Sequence, residues 1–201
     1  MLFRSHSLRK LEDDLEEIVN NESSVIFAGS MPADELLEDC LSIIKKAGGK
    51  GAKIVVDTSG TALKQIIQSG RVYIVKPNFE ELCQLTGKTI ADNSSSIVQA
   101  ARTLCDKAQI IVVSRGAKGA LAVTKEDAFQ CKVKDAARKA VNTVACGDYL
   151  LAGFISQLKD GDIGKALETG VKLATARAWG LTEKISWSQA EKEIELECNS
   201  L

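Results

Sequence analysis

AKIVVDTSGTALKQIIQSGRVYIVKP, residues 52–77, decides the fold class. Its two ends, AKIVVDT and VYIVKP, are short runs apolar at consecutive positions, and between them TALKQIIQS carries apolar residues at helical spacing. A strand that is apolar on both faces needs cover on both sides, which is the environment of parallel strands joined by helical crossovers. The alternation continues upstream. Leu8, Leu11, Leu15, Ile18 and Val19 predict an amphipathic helix over 8–19, SVIFAG (24–29) a strand, and residues 33–47 a helix stopped by Gly48 and Gly49. Downstream, short and long helices are expected over 80–85 and 94–107, the longer one presenting Ile97, Ala100, Ala101 and Leu104 on one face. QIIVVSRGAKGALAVT (109–124) reads as a strand, a tight turn and an antiparallel partner, and a further short strand pair is expected over 128–141. Helices follow over 147–159, 163–179 and 188–195, the last from a capping-box-like SQAE. With no internal repeat or low-complexity linker, residues 1–201 are expected to form a single α/β domain with right-handed crossovers. The expected architecture is a three-layer α/β/α sandwich on a mostly parallel sheet.

Composition excludes some functions. Lys+Arg 26 against Asp+Glu 27 leaves a net charge of -1, which provides no global field for nucleic acid or an anionic membrane. Six cysteines are scattered without a C-x-x-C pair and only His6 is available as an imidazole, so zinc-ligand spacing is absent. Reduced thiols and a cytoplasmic location are expected. No apolar run reaches the roughly 18–20 residues that span a bilayer, and the N-terminus has no signal-peptide core.

In an open α/β sheet the strand ends and the following helix starts share one crevice, so Gly29-Ser30, residues 57–60, 78–81, 114–119 and 145–148 are expected to converge. Each has two readings. Ala145-Cys146-Gly147 before Asp148 is a small-residue turn into a helix, suited to an anion because the first helical amides are unpaired donors; equally, Asp148 caps a core helix. Cys146 is then either an activated thiol at a helix start or a buried inert one. Ser114, Arg115, Gly116, Ala117, Lys118 and Gly119 permit close approach of a nucleotide phosphate, or simply form a hairpin turn. Asn78 and Glu81 cap a helix reciprocally, or hold the water shell of a magnesium ion. Asp57, Ser59 and Gly60 line a polar site or start the next helix.

In this order and spacing, GSMP, VVDTSG, VKPNFEEL, SRGAKGAL and NTVACGDYLLAGF resemble the ribokinase-like carbohydrate kinases, from about Val25 to Leu181. DTSG ahead of KPN, with the T-x-x-x-G-D turn, is similar to the branch containing 1-phosphofructokinase and tagatose-6-phosphate kinase. The resemblance implies ATP and Mg²⁺ and a sugar or sugar-phosphate substrate. It makes Asp148 the base, Ala145, Cys146 and Gly147 the anion hole, and residues 114–119, with Gly147 and Asp148, the nucleotide contacts. Asn78 and Glu81 become indirect magnesium ligands, and Asp57, Ser59 and Gly60 lie on the substrate side. Oligomeric state is left open. Departures accompany the match. The family turn is usually Gly-Ala-Gly-Asp; if its first position takes φ > 0, Ala145 costs on the order of 1 kcal/mol. Tyr149 stands where a small residue is common, and Arg115 where an apolar one is. The family also has a region ahead of the GS-x-P strand that carries first strands, lid and most sugar contacts, and about two dozen residues precede that strand here. The expectation is a C-terminal nucleotide-binding portion with an open sheet edge, active or a non-catalytic module of the same fold.

Overall fold

The computed structural model describes residues 2–30, 37–70, 72–135, 137–158 and 161–201, without the side chains of residues 2–6. Consecutive apolar residues in the strands send side chains alternately into two helical layers. In β2 (Lys53–Asp57), Ile54 and Val56 enter one core and Val55 the other; in β4 (Ala108–Ser114), Ile111 and Val113 oppose Ile110 and Val112. The first core is closed by α1 (Leu2–Ile18), α2 (Leu37–Gly49), α3 (Gly60–Ser69), α4 (Phe79–Thr86) and α5 (Ser94–Arg102), through residues such as Ile44, Leu63, Leu82 and Ile97. The second is closed by α6 (Cys146–Gln157) and α7 (Ile163–Ala178), through Leu150, Phe154, Leu167 and Val171. These two helices approach closely: a Cβ added at Gly153 would lie 2.8 Å from the Cα of Gly170. The three-layer α/β/α arrangement is as expected.

The sheet runs in chain order. β1 (Ser24–Ala28), β2, β3 (Val72–Val75) and β4 pair parallel, and β5 (Ala120–Val123), β6 (Ala128–Val133) and β7 (Leu196–Ser200) add antiparallel. It is therefore mixed, with three parallel and three antiparallel pairings. β1 is an edge strand. Its Ile26 lies in register with Val55, on the face covered by α6 and α7, yet is 50% exposed.

Three local expectations are corrected. The strand pair over 128–141 reduces to β6, whose partner is β7 from the far C-terminus. The helix over 188–195 is only α8 (Trp187–Ala190) and a 3₁₀ turn (Glu191–Glu193). Ile194 is buried against Trp179 and Ala190, and Leu196 packs at the margin of that cluster; this alternation draws the chain into an extended strand. Reduced thiols do not hold throughout, because antiparallel pairing sets Cys131 opposite Cys198 and the two form a disulfide. The cysteines thus give no support to a cytoplasmic location. The start of the helix expected from residue 33, the GS-x-P residues Met31 and Pro32, and Lys159 lie outside the described residues. Among the described residues no helix is long and apolar enough to cross a membrane.

Candidate functional site

Main-chain ladders extend past the parallel strands and align their C-terminal loops. Gly29 N–H donates to the Asp57 carbonyl (2.9 Å), Lys76 N–H to Val56 (3.0 Å) and Ser114 N–H to Pro77 (3.0 Å). The loops after β1, β2, β3 and β4 are thereby drawn to one end of the sheet, as the crevice expectation requires.

Two cavities open there and share one residue, Gly147. The first, about 340 Å³, is lined on one side by Ser114, Gly116, Ala117 and Gly119 and on the other by Thr143, Cys146 and Gly147, with Val171, Ala178 and Trp179 forming apolar wall. The second, about 310 Å³, is lined by Ser30, Asp57, Ser59, Glu81, Ala145, Gly147 and Asp148, together with Lys76. Of the expected site residues, Gly60, Asn78, Arg115 and Lys118 line neither cavity. Tyr149 does not crowd them either; its ring lies 5.9 Å from the Arg177 guanidinium.

Capping differs among the helices. Asn78 accepts from Glu81 N–H and Glu81 accepts from Asn78 N–H, both at 2.8 Å, so the capping box forms at α4. Side chains of Asn93 and Asp162 cap α5 and α7. No side chain caps α3 or α6, and both start on the second cavity, at Ser59 and Ala145. Unpaired first-turn amides with the positive end of the helix dipole favour an anion there. Ala145 has φ 65°, the one non-glycine residue with positive φ among the described residues. The turn has therefore kept the left-handed shape that glycine would adopt freely, at a cost to alanine of about 1–2 kcal/mol.

Lys76 was not foreseen as a site residue. It ends β3 buried, its Nζ 3.0 Å from Asp57 Oδ1, and a Cβ on Gly147 would sit 3.1 Å from that Nζ. A side chain at 147 would require this ammonium to give way by a few tenths of an ångström. The available signal was a lone cation terminating a strand apolar on both faces. Burial pushes the Asp57 carboxyl above its ordinary range, with the nearby Asp148 charge adding to the rise and Lys76 opposing it. Thr58 is buried beside them, and its Oγ1 has no hydrogen-bond partner among the described residues. Burial also raises the Cys146 thiol pKa, against the pull of Arg177, so the inert reading of this cysteine is the one supported.

Asp57, Glu81 and Asp148, with the hydroxyls of Ser30 and Ser59, offer the hard oxygen donors that suit a hydrated magnesium ion. Among the described residues no group of three acidic, cysteine or histidine side chains converges to hold a metal unaided. The donor set therefore fits an ion that keeps most of its waters and takes phosphate oxygens.

A mixed sheet whose parallel strands gather their loops at one end, with an uncapped small-residue turn leading into an aspartate between two cavities, defines an α/β protein with a candidate anion site. Residues 3–186 match the family described as pfkB family carbohydrate kinase, and the chain belongs to that family. It is 32% identical over 170 residues to the ATP-dependent 6-phosphofructokinase isozyme 2 of Escherichia coli (strain K12), and 30% identical over 171 residues to the 1-phosphofructokinase of Borreliella burgdorferi. Each match covers 84% of this chain and 53% or 54% of the relative, so the chain spans about half the length of the curated relatives it matches. The crystal structure of phosphofructokinase-2 from E. coli in complex with fructose-6-phosphate superposes with a TM-score of 0.81 at 26% identity, over 93% of this chain and 59% of that one.

Proposed function

We propose that residues 1–201 act as one α/β unit carrying the nucleotide-binding and phosphoryl-transfer site of an ATP-dependent kinase. The acceptor is a hydroxyl of a sugar phosphate of the fructose 1-phosphate or tagatose 6-phosphate type. The observation that carries this reading is Gly147, which walls both cavities: the 114–119 loop faces it from one side, and Asp57, Lys76 and Asp148 from the other. ATP placed along the first cavity would present its γ-phosphate at Gly147. A sugar hydroxyl in the second cavity would attack the γ-phosphorus while Asp148 takes its proton; the new O–P bond forms as the bond to the β-phosphate oxygen breaks, and ADP leaves. Backbone amides of the Ala145–Gly147 turn stabilise charge on the transferring group, and the Lys76 ammonium adds a fixed positive charge behind Gly147. Glu81 and Asp57 would support, through water, a magnesium ion whose charge would neutralise that of the phosphates.

ADP release measured over a panel of hexose phosphates tests this reading. Sugar-phosphate-dependent turnover is expected, falling about 10²–10⁴-fold in Asp148→Asn. Turnover unchanged in that variant would remove Asp148 as base. Nucleotide binding without any sugar-dependent ADP release would put a non-catalytic module in place of the kinase.

A further inference from the structure

The 114–119 loop carries two cations that point away from its cavity. Arg115 Nε donates to Asp92 Oδ1 at 3.0 Å, its Nη2 donates to the same oxygen (2.6 Å) and to the Asp92 carbonyl (3.2 Å), and Lys118 Nζ binds Asp92 Oδ2. The Arg115 side chain is only 8% exposed, whereas that of Lys118 is 63% exposed. One carboxylate thus engages both ends of a short 3₁₀ turn (Gly116–Lys118), with one oxygen for each cation. Asp92 is itself anchored by its neighbours: Asn93 caps α5, and the Ser94 hydroxyl binds Gln130 on β6. β6 supports the loop from the opposite side, where a Cβ on Gly119 would fall 2.1 Å from the Cys131 carbonyl oxygen. Glycine is obligatory at that contact, and the loop lies between the Asp92 corner and β6.

We propose that Asp92 is a positioning residue for nucleotide binding, fixing the 114–119 loop in its phosphate-facing shape through Arg115 and Lys118. The proposal rests on the kinase reading above for the identity of the ligand. Its physical basis is preorganisation: a loop already held in one shape loses less conformational freedom when the nucleotide arrives. A multidentate guanidinium–carboxylate contact also imposes geometry that a single lysine contact does not. Both cations are satisfied by one partner outside the cavity, so neutralising Asp92 releases the two together.

The experiment pairs hydrogen exchange of the free chain with calorimetric ADP titration, for the unaltered protein, Asp92→Asn, Asp92→Glu, Arg115→Leu and the double variant Asp92→Asn/Arg115→Leu. The amides of Arg115, Lys118 and Gly119 are bonded within the loop, so their exchange reports its shape. Asp92→Asn is expected to speed exchange over 114–119 at least tenfold while leaving β1 to β3 unchanged, and to weaken ADP binding about five- to tenfold. Asp92→Glu should recover part of both effects, and the double variant should be no worse than the more affected single one. Exchange unchanged in Asp92→Asn would overturn the clamp and leave the nucleotide reading standing. Faster exchange with unchanged or tighter ADP binding would overturn the role in affinity, because the two freed cations would then be acting by charge alone. Failure of the unaltered chain to bind ADP would instead overturn the nucleotide reading, and with it this role.

Discussion

The two sides of Gly147 are built on different principles. On one side, Asp57 and Lys76 sit at the ends of adjacent parallel strands, and their spacing is set by ladder hydrogen bonds that continue into the loops. On the other, the cavity beside the 114–119 loop is lined by that turn, the α6–α7 pair and the end of β6, the strand to which the Cys131–Cys198 disulfide ties β7. In the first half Lys76 and its partner Asp57 lie at the ends of strands already paired, with Lys76 buried. The second is held by pins: a disulfide and an aspartate between two cations.

The largest test of that contrast is Lys76→Met. It leaves the buried Asp57 carboxylate without its partner, and loss of one member of a buried pair costs about 3–5 kcal/mol. Urea unfolding should move by that amount, and a second change, Asp57→Asn, should restore much of it; a shift below about 1 kcal/mol would mean the strand-end pair is not the support described here. Next in size is the pin on the other half. Reducing the disulfide, or Cys131→Ser, opens a link between residues 67 apart, for which chain entropy alone gives roughly 4 kcal/mol, commonly less in practice. A lower melting temperature under dithiothreitol, with β7 amides exchanging first, would sharpen the comparison, whereas insensitivity to reductant would break it. The smallest expected effect comes from Ala145→Gly, which relieves the left-handed strain. It should raise stability by about 1 kcal/mol, less the entropy that glycine gives the unfolded chain, and a destabilised variant would show that the turn prefers its Cβ.

Legibility in the sequence followed the same division. The parallel strands were evident because burial on both faces writes a continuous apolar run, and their loops could be placed in one crevice without knowing any distance. Local turn chemistry made Ser114, Gly147 and Asp148 candidates, and the family resemblance raised the left-handed condition at Ala145 that φ 65° meets. Asn78 was legible only as half of an ambiguity; its cap is formed, and its side chain does not line the cavity that Glu81 does. Lys76 and Asp92 were not singled out. Their importance lies in partners 19 and 23 residues away in sequence, Asp57 and Arg115, and a single charged residue carries no local mark of which charge it will meet. The helix expected over 188–195 ends early, and β7, which follows it, carries no mark within its own residues of the β6 partner that makes it a strand.

By itself, then, the sequence determined the layers, the convergent loops and the helix-start aspartate, because each follows from side-chain periodicity and backbone preference within a few residues. Only the tertiary structure decided that β7 from the far C-terminus joins the sheet beside β6, that Cys131 meets Cys198, that Lys76 stands behind Gly147, and that Asp92 takes both cations of the 114–119 loop. Those are pairings between distant segments. Their free energy comes from burial and charge contact that exist only once the strands have been brought into register.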